Sequence, residues 1–265
     1  MPDRAPTHGR VGPTTACPSR HDWRQLPNPY GTSPHPPRGM CPRRINLAAA
    51  GTAVVGGIGQ DGAMLTVAGV PFPFRPSAPD AWRLDGHQRL VAEAPPHTDL
   101  YVDPSGEDLA GTGSTVAPPT LLAGAPEGDF LLSARVSVDF RSTYDAGVLL
   151  LYSDDRTWAK LCFERSPSGP AMVVSVVTLG VSDDANAFDV SGGSVWLRIA
   201  RIDRVHAFHA STDGLTWRLV RVFRLGDRRS DVGFEAQSPT GEGCTVIFDE
   251  IRYVPGRLAD PRDGS

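Results

Sequence analysis

Phe130, Leu132, Ala134, Val136, Val138 and Phe140 take every second position of one stretch, with Leu131, Ser133, Arg135, Ser137 and Asp139 between them. A period of two sends successive side chains to opposite faces, so this stretch predicts a half-buried antiparallel strand. Similar runs follow at about 146–152, 157–164, 171–179, 194–202, 205–211, 216–224, 231–237 and 245–253. Turn residues separate them: Ser153-Asp154-Asp155, Pro167-Ser168-Gly169-Pro170, Ser191-Gly192-Gly193, Asp213-Gly214 and Pro239-Thr240-Gly241. No stretch carries a helical period. Strands spaced by roughly 8–12 residues predict a sandwich or barrel. About 200 residues and a dozen strands suit a jelly roll of two antiparallel sheets. No repeat of roughly 20–50 residues is present, which argues against a propeller. Asp213-Gly214 predicts a type I′ hairpin, with Ser211 and Thr216 bonded to the turn and Trp217 over it.

The pattern begins only at about Met64. Residues 1–42 hold ten of the 25 Pro, with Trp23 and Tyr30 as their only aromatics. Such a composition cannot bury enough surface to offset chain entropy. Residues 1–63 carry seven Arg against three Asp, a net of +4, which leaves -8 on 64–265 of the total of -4. We expect 1–63 to be a disordered tail or an extension upstream of the true start, and 64–265 to be the folded domain. Met1, Met40 and Met64 all remain possible starts. Arg43-Arg44 before a small apolar stretch resembles a twin-arginine signal. That stretch is rich in Gly and no clear small-x-small cleavage site follows, so a cytoplasmic location is expected. Cys17, Cys41, Cys162 and Cys244 form no disulfide framework, and no pair has zinc-ligand spacing, which agrees with that location. The acidic balance predicts no nucleic-acid or anionic-membrane partner, and no apolar run approaches the roughly 20 residues of a membrane span.

Several segments together resemble a known family. They are Asp145-Ala146-Gly147-Val148, Trp158-Ala159-Lys160-Leu161-Cys162-Phe163-Glu164, Ser175-Val176-Val177-Thr178, Ser182-Asp183-Asp184-Ala185-Asn186, the Ser211–Trp217 hairpin and Gln237-Ser238-Pro239-Thr240-Gly241-Glu242-Gly243. They resemble motifs of the domain-of-unknown-function family 1349, which includes a yeast protein named for regulation of enolase. The resemblance covers about Val70 to Ser265. It implies a concanavalin A-like jelly roll, as in lectins and glucanases, and no established reaction.

Alternation places Trp158, Lys160, Cys162 and Glu164 on one strand face, with Ala159, Leu161 and Phe163 on the other. In a concanavalin A-like sandwich the outward face of the concave sheet forms a groove. A ring that stacks on a sugar and charged groups that bond its hydroxyls suit a carbohydrate there. Lys160 is the only Lys beside 25 Arg. Such a survivor points to a need for a compact charge or a titratable amine, against the rival of chance in an Arg-rich composition. The competing reading of the face is a solvated Lys–Glu pair worth under about 1 kcal/mol.

Arg198, His209 and Gln237 are polar residues inside other strands that can face the same groove. Asp183 and Asn186 belong to an oxygen-rich loop, read first as an Asx-stabilised turn and second as a calcium loop. Asp99, Tyr101 and Asp103 share a face of their own. Asp145 or Asp183 are the carboxylates that could approach Glu164 as a hydrolytic pair. The Glu-x-Asp-x-x-Glu strand of many glucanases is absent, as are the nucleophile elbow, the P-loop and the metalloprotease motif. The ligand-binding set is therefore Trp158, Lys160, Glu164, Arg198, His209, Gln237, Asp145, Asp183 and Asn186, with no metal and no cofactor expected. The expected function is non-catalytic binding of a carbohydrate or small polar ligand. The alternatives are a glycan-active hydrolase or lyase using Glu164 and Lys160, and a regulatory domain that binds another protein.

Overall fold

The alternating stretch becomes strand β5 (Phe130–Val138), at the centre of one of two seven-stranded sheets. The computed structural model describes residues 64–107, 116–124 and 126–265. The other strands there are β1 (Arg75–Pro76), β2 (Trp82–Leu84), β3 (Leu90–Ala94), β4 (Thr120–Ala123), β6 (Ala146–Asp154), β7 (Thr157–Arg165), β8 (Ala171–Leu179), β9 (Val181–Val190), β10 (Ser194–Ile202), β11 (Val205–Ser211), β12 (Arg218–Phe223), β13 (Asp231–Gln237) and β14 (Cys244–Pro255). The first sheet runs β1-β4-β13-β6-β7-β8-β9 and the second β12-β11-β10-β5-β14-β3-β2. Every pairing is antiparallel. This is the two-sheet jelly-roll sandwich that the strand spacing predicts. Residues 1–63 lie outside the described residues, and with them the expected tail, its boundary, Arg43-Arg44, Cys17 and Cys41.

The core sits between the sheets. Leu132, Ala134 and Val136 of β5 meet Leu149 and Leu151 of β6 and Leu161 and Phe163 of β7. The second sheet leaves no room for a side chain at Gly147, where an added Cβ would lie 2.5 Å from a Val246 methyl and 2.6 Å from one of Val136. The described residues contain no helix long and apolar enough to cross a membrane.

Two local expectations are corrected. Residues 182–186 are not a loop but part of β9, an edge strand. An edge strand open to water on one face need not alternate, so its Asp, Asn and Ala residues hid it. Nor is Asp213-Gly214 a type I′ turn, because Asp213 lacks the positive φ that such a turn needs. Six residues, 212–217, join β11 to β12. Asp213 Oδ1 accepts the amides of Leu215 and Thr216 at 2.8 and 2.7 Å, and Ser211 Oγ accepts that of Gly214 at 2.9 Å. Gly214 keeps a left-handed φ of 72°, and Trp196 rather than Trp217 lies against it, 3.0 Å from an added Cβ. Gly214→Val is expected to lower stability by about 1–3 kcal/mol in urea denaturation, from backbone strain and contact with that ring. An unchanged midpoint would contradict this.

Candidate functional site

Strand β7 sends Ala159, Leu161 and Phe163 into the core and turns Trp158, Lys160, Cys162 and Glu164 to the outer face of the first sheet. Two of the neighbours across that face, Gly233 and Ala146, are small. Lys160 pairs with Leu150, which pairs with Gly233; Glu164 pairs with Ala146, which pairs with Gln237. The face is hollow there and is not left open. Residues Thr98–Val102 cross it as a strap. At one end the Ser238 amide donates to Thr98 Oγ1 at 3.3 Å. At the other, Ser182 donates its amide to the Val102 carbonyl at 2.8 Å and accepts the Val102 amide on Oγ at 2.9 Å. Leu100 and Val102 pack onto the cluster that holds Trp158 and Cys162. Beside the strap remains a pocket of about 90 Å³. Its wall is Asp99 and Tyr101 of the strap, Lys160 and Glu164 of β7, Asp184 of β9 and Gln237 of β13, with Tyr144 and Val176 completing it. That volume is well below the roughly 300–1,000 Å³ of a drug-sized site, so only a small polar moiety fits.

The pocket holds one cation among several carboxyl groups. Lys160, 2% exposed, places Nζ 2.9 Å from Asp99 Oδ1, 2.8 Å from Gln237 Oε1 and 5.5 Å from the Trp158 ring centre. Burial alone lowers the Lys160 pKa, but Asp99 and Glu235 outweigh it and hold the ammonium above the ordinary lysine range. Burial pushes Glu164 up to about 8, against the pull of Lys160. Burial likewise pushes Glu235 up to about 7, again opposed by Lys160. Glu235 is fully buried and neither carboxyl oxygen has a hydrogen-bond partner. Partial desolvation also raises Asp184 at the rim, with Lys160 opposing. The Cys162 thiol is raised well above its usual range by burial, so it stays protonated and inert.

These shifts set a pH dependence. A carboxyl raised in the folded state binds more protons there than in the unfolded chain, which stabilises the fold below the ordinary carboxyl pKa. That stabilisation is lost as pH rises through the folded value. Stability should therefore fall between about pH 4.5, the ordinary glutamate value, and about pH 8. Glu235→Gln removes one such group, so it is expected to flatten the slope and to stabilise at pH 8 by about 1–3 kcal/mol relative to pH 5. Equal slopes in wild type and variant would show that Glu235 is not protonated on folding.

Of the expected ligand-binding set, Lys160, Glu164 and Gln237 come together in this pocket, and Asp99 and Tyr101, read as sharing a face, line it too. Trp158 lies beside it but is 0% exposed under the strap, so its ring cannot stack on a ligand. The competing reading expects a solvated Lys–Glu pair, whereas Lys160 is buried and its ion pair is with Asp99. Asp145 is fully buried and structural. Its Oδ2 accepts the amides of Arg141 and Ser142, both at 2.8 Å, and its Oδ1 accepts Ser238 Oγ at 2.6 Å. Asp183 is exposed and pairs with Arg221 of β12 at 3.0 Å, because alternation turns Asp184 rather than Asp183 to the pocket. Asn186 is exposed on the pocket face, opposite Val174, but does not line the pocket.

Arg198 and His209 belong to β10 and β11 of the other sheet, so they cannot share the groove. Arg198 donates to the Gly264 carbonyl at 2.7 Å, and His209 Nε2 lies 2.7 Å from the Pro261 carbonyl. Alternation reports which face of a strand a residue takes, not which sheet the strand joins. Among the described residues no three His, Cys, Asp or Glu side chains are placed to hold a metal ion. Asp184, Tyr144 and Glu235 were not selected from sequence. The first needed the β8–β9 register, and Tyr144 needed the turn that Asp145 holds.

Residues 77–255 match the sequence pattern of the family described as protein of unknown function, DUF1349. The chain belongs to the DUF1349 family. This DUF1349 chain is similar to a functionally unknown protein from Saccharomyces cerevisiae, at 25% identity and a TM-score of 0.59, over 70% of this chain and 97% of that one. It is also similar to the GH43 BlXynB protein from Bacillus licheniformis, at 14% identity and a TM-score of 0.56, over 69% of this chain and 36% of that one. A xylan β-1,4-xylosidase from Bacillus halodurans gives 15% identity and a TM-score of 0.53, over 67% and 35%. The DUF1349 chain thus spans about a third of these two Bacillus chains, and the likeness is one of fold alone. No curated protein matches it in sequence.

Proposed function

We propose that the outer face of the first sheet binds a small polar ligand of the carbohydrate class, without catalysis. The observation that carries this reading is Glu164. It is 7% exposed, lines the pocket and has no hydrogen-bond partner among the described residues. Buried polar groups are normally satisfied, so an unmet carboxyl facing a cavity is a group awaiting a partner. Tyr101 and Tyr144 at the same wall supply ring faces and hydroxyls, the usual furniture of a sugar site. The GH43 likeness supports the reading only as fold analogy. Calorimetry with a panel of monosaccharides on the full chain tests it. Saturable binding that Tyr101→Ala weakens at least about tenfold, near 1.4 kcal/mol, is expected. Binding that is indifferent to Tyr101 and Glu164 would overturn it.

One observation favours a second reading, a glycan-active enzyme. A general acid works best with a pKa near the operating pH, and burial pushes Glu164 up to about 8. Release of reducing ends from oligosaccharides, abolished by Glu164→Gln, would establish that reading over simple binding.

A further inference from the structure

The pocket gathers more carboxyl groups than cations. Lys160 is the cation inside it, and its ammonium is already committed to Asp99 and Gln237. Glu164 and Asp184 face the same space, and the orphaned Glu235 lies close enough to act electrostatically on Lys160. Arg221 acts on Asp184 at a distance but makes its ion pair with Asp183. The unmet capacity is therefore for hydrogen-bond donors carrying positive charge.

We infer that the pocket selects a sugar bearing a protonated amine, seated with its ammonium between Glu164 and Asp184 and an adjacent hydroxyl toward Tyr101. This rests on the proposed ligand site and deepens it. A volume of about 90 Å³ admits the amine and its neighbouring hydroxyl and leaves the rest of the ring in solvent. A charge-assisted bond from ammonium to carboxylate is roughly twice as strong as a neutral one, so the amine outweighs a hydroxyl at the same position. A sugar carboxylate meets the Asp99 and Asp184 carboxylates with Lys160 already spent, so it is repelled.

Glu164 gives the inference a pH signature. The groups facing it are Lys160 on its own strand, Asp99 and Tyr101 of the strap, Asp184 of β9, Gln237 of β13 and Tyr144 of the turn, with Lys160, Asp184 and Asp99 acting on its charge. An incoming ammonium favours the ionised carboxyl, so binding releases a proton from Glu164 near neutral pH.

The test is calorimetry of the full chain at pH 7 with glucosamine, galactosamine and mannosamine. Each is set against its parent hexose, with glucuronate as the anionic control. At least one amino sugar is expected to bind about tenfold tighter than its parent, and glucuronate not at all. Apparent binding enthalpy is expected to vary with the buffer's ionisation enthalpy, which reports the released proton. Glu164→Gln is expected to bring amino sugar and parent within about threefold and to abolish the buffer dependence. Parent hexoses or glucuronate binding as well as the amino sugars would overturn the amine selectivity and leave the site standing. No binding by any of the seven sugars would overturn the amine selectivity. With pocket variants also silent across a wider monosaccharide panel, it would overturn the site as well.

Discussion

Lys160→Met is expected to lower stability by about 3–5 kcal/mol at pH 8, against a total of about 5–15 for an ordinary domain. An exposed Lys–Glu pair would predict under about 1 kcal/mol. The difference comes from the strap. Thr98–Val102 covers the strand, so Lys160 and Asp99 are 3% and 8% exposed at their side chains and bond at 2.9 Å. Removing the ammonium strands the Asp99 carboxylate beside Glu164, Asp184 and Glu235 in a poorly hydrated site. The loss should shrink at pH 5, where the raised carboxyls take up protons and shed their charge. The double variant Lys160→Met, Asp99→Leu should recover much of it, because replacing both partners removes the uncompensated charge. Urea denaturation at the two pH values measures all three. A single-variant loss below about 1 kcal/mol would mean that the strap does not desolvate the pair.

Asp145→Ala is expected to cost about 2–4 kcal/mol, with the cost arising from groups left behind. The fully buried carboxylate satisfies the Arg141 and Ser142 amides and the Ser238 hydroxyl, and among the described residues the two amides have no other partner. The same turn holds Tyr144 at a left-handed φ of 67° at the pocket wall. A non-glycine residue stays there only when its surroundings dictate it. Ligand affinity should therefore fall in Asp145→Ala even under conditions where the variant is fully folded. Asp145→Asn keeps one acceptor oxygen and is expected to lose less. Equal stability of Asp145→Ala and wild type would contradict the placement of this carboxylate.

What the sequence revealed follows from what one-dimensional pattern records. Strands buried on one or both faces, such as β5, β10 and β13, announced themselves by alternation and turn residues. The edge strand β9 is polar where it meets water, so the same rule read it as a loop. The outward face of β7 was legible because Trp158, Lys160 and Glu164 share a parity. Its cover was not, since Asp99 lies 61 residues away and reaches Lys160 only through the folded chain. For that reason Trp158 looked like a stacking platform when it is a floor. Arg198 and His209 failed for a related cause: parity carries no information about sheet membership. The composition signal was the more durable one. A chain that keeps one Lys among 25 Arg has placed it in the buried ion pair of this pocket.

That single lysine also provides the most direct measurement. Protein grown with lysine labelled at its ε-nitrogen carries one labelled side chain, Lys160, in the whole sequence. If it floors a ligand pocket, its ammonium protons are slow to exchange with water, and its signal shifts saturably as an amino sugar is added, with the shift lost in Glu164→Gln. A signal that exchanges as fast as a free lysine, or that stays unmoved while calorimetry reports binding, would contradict the site.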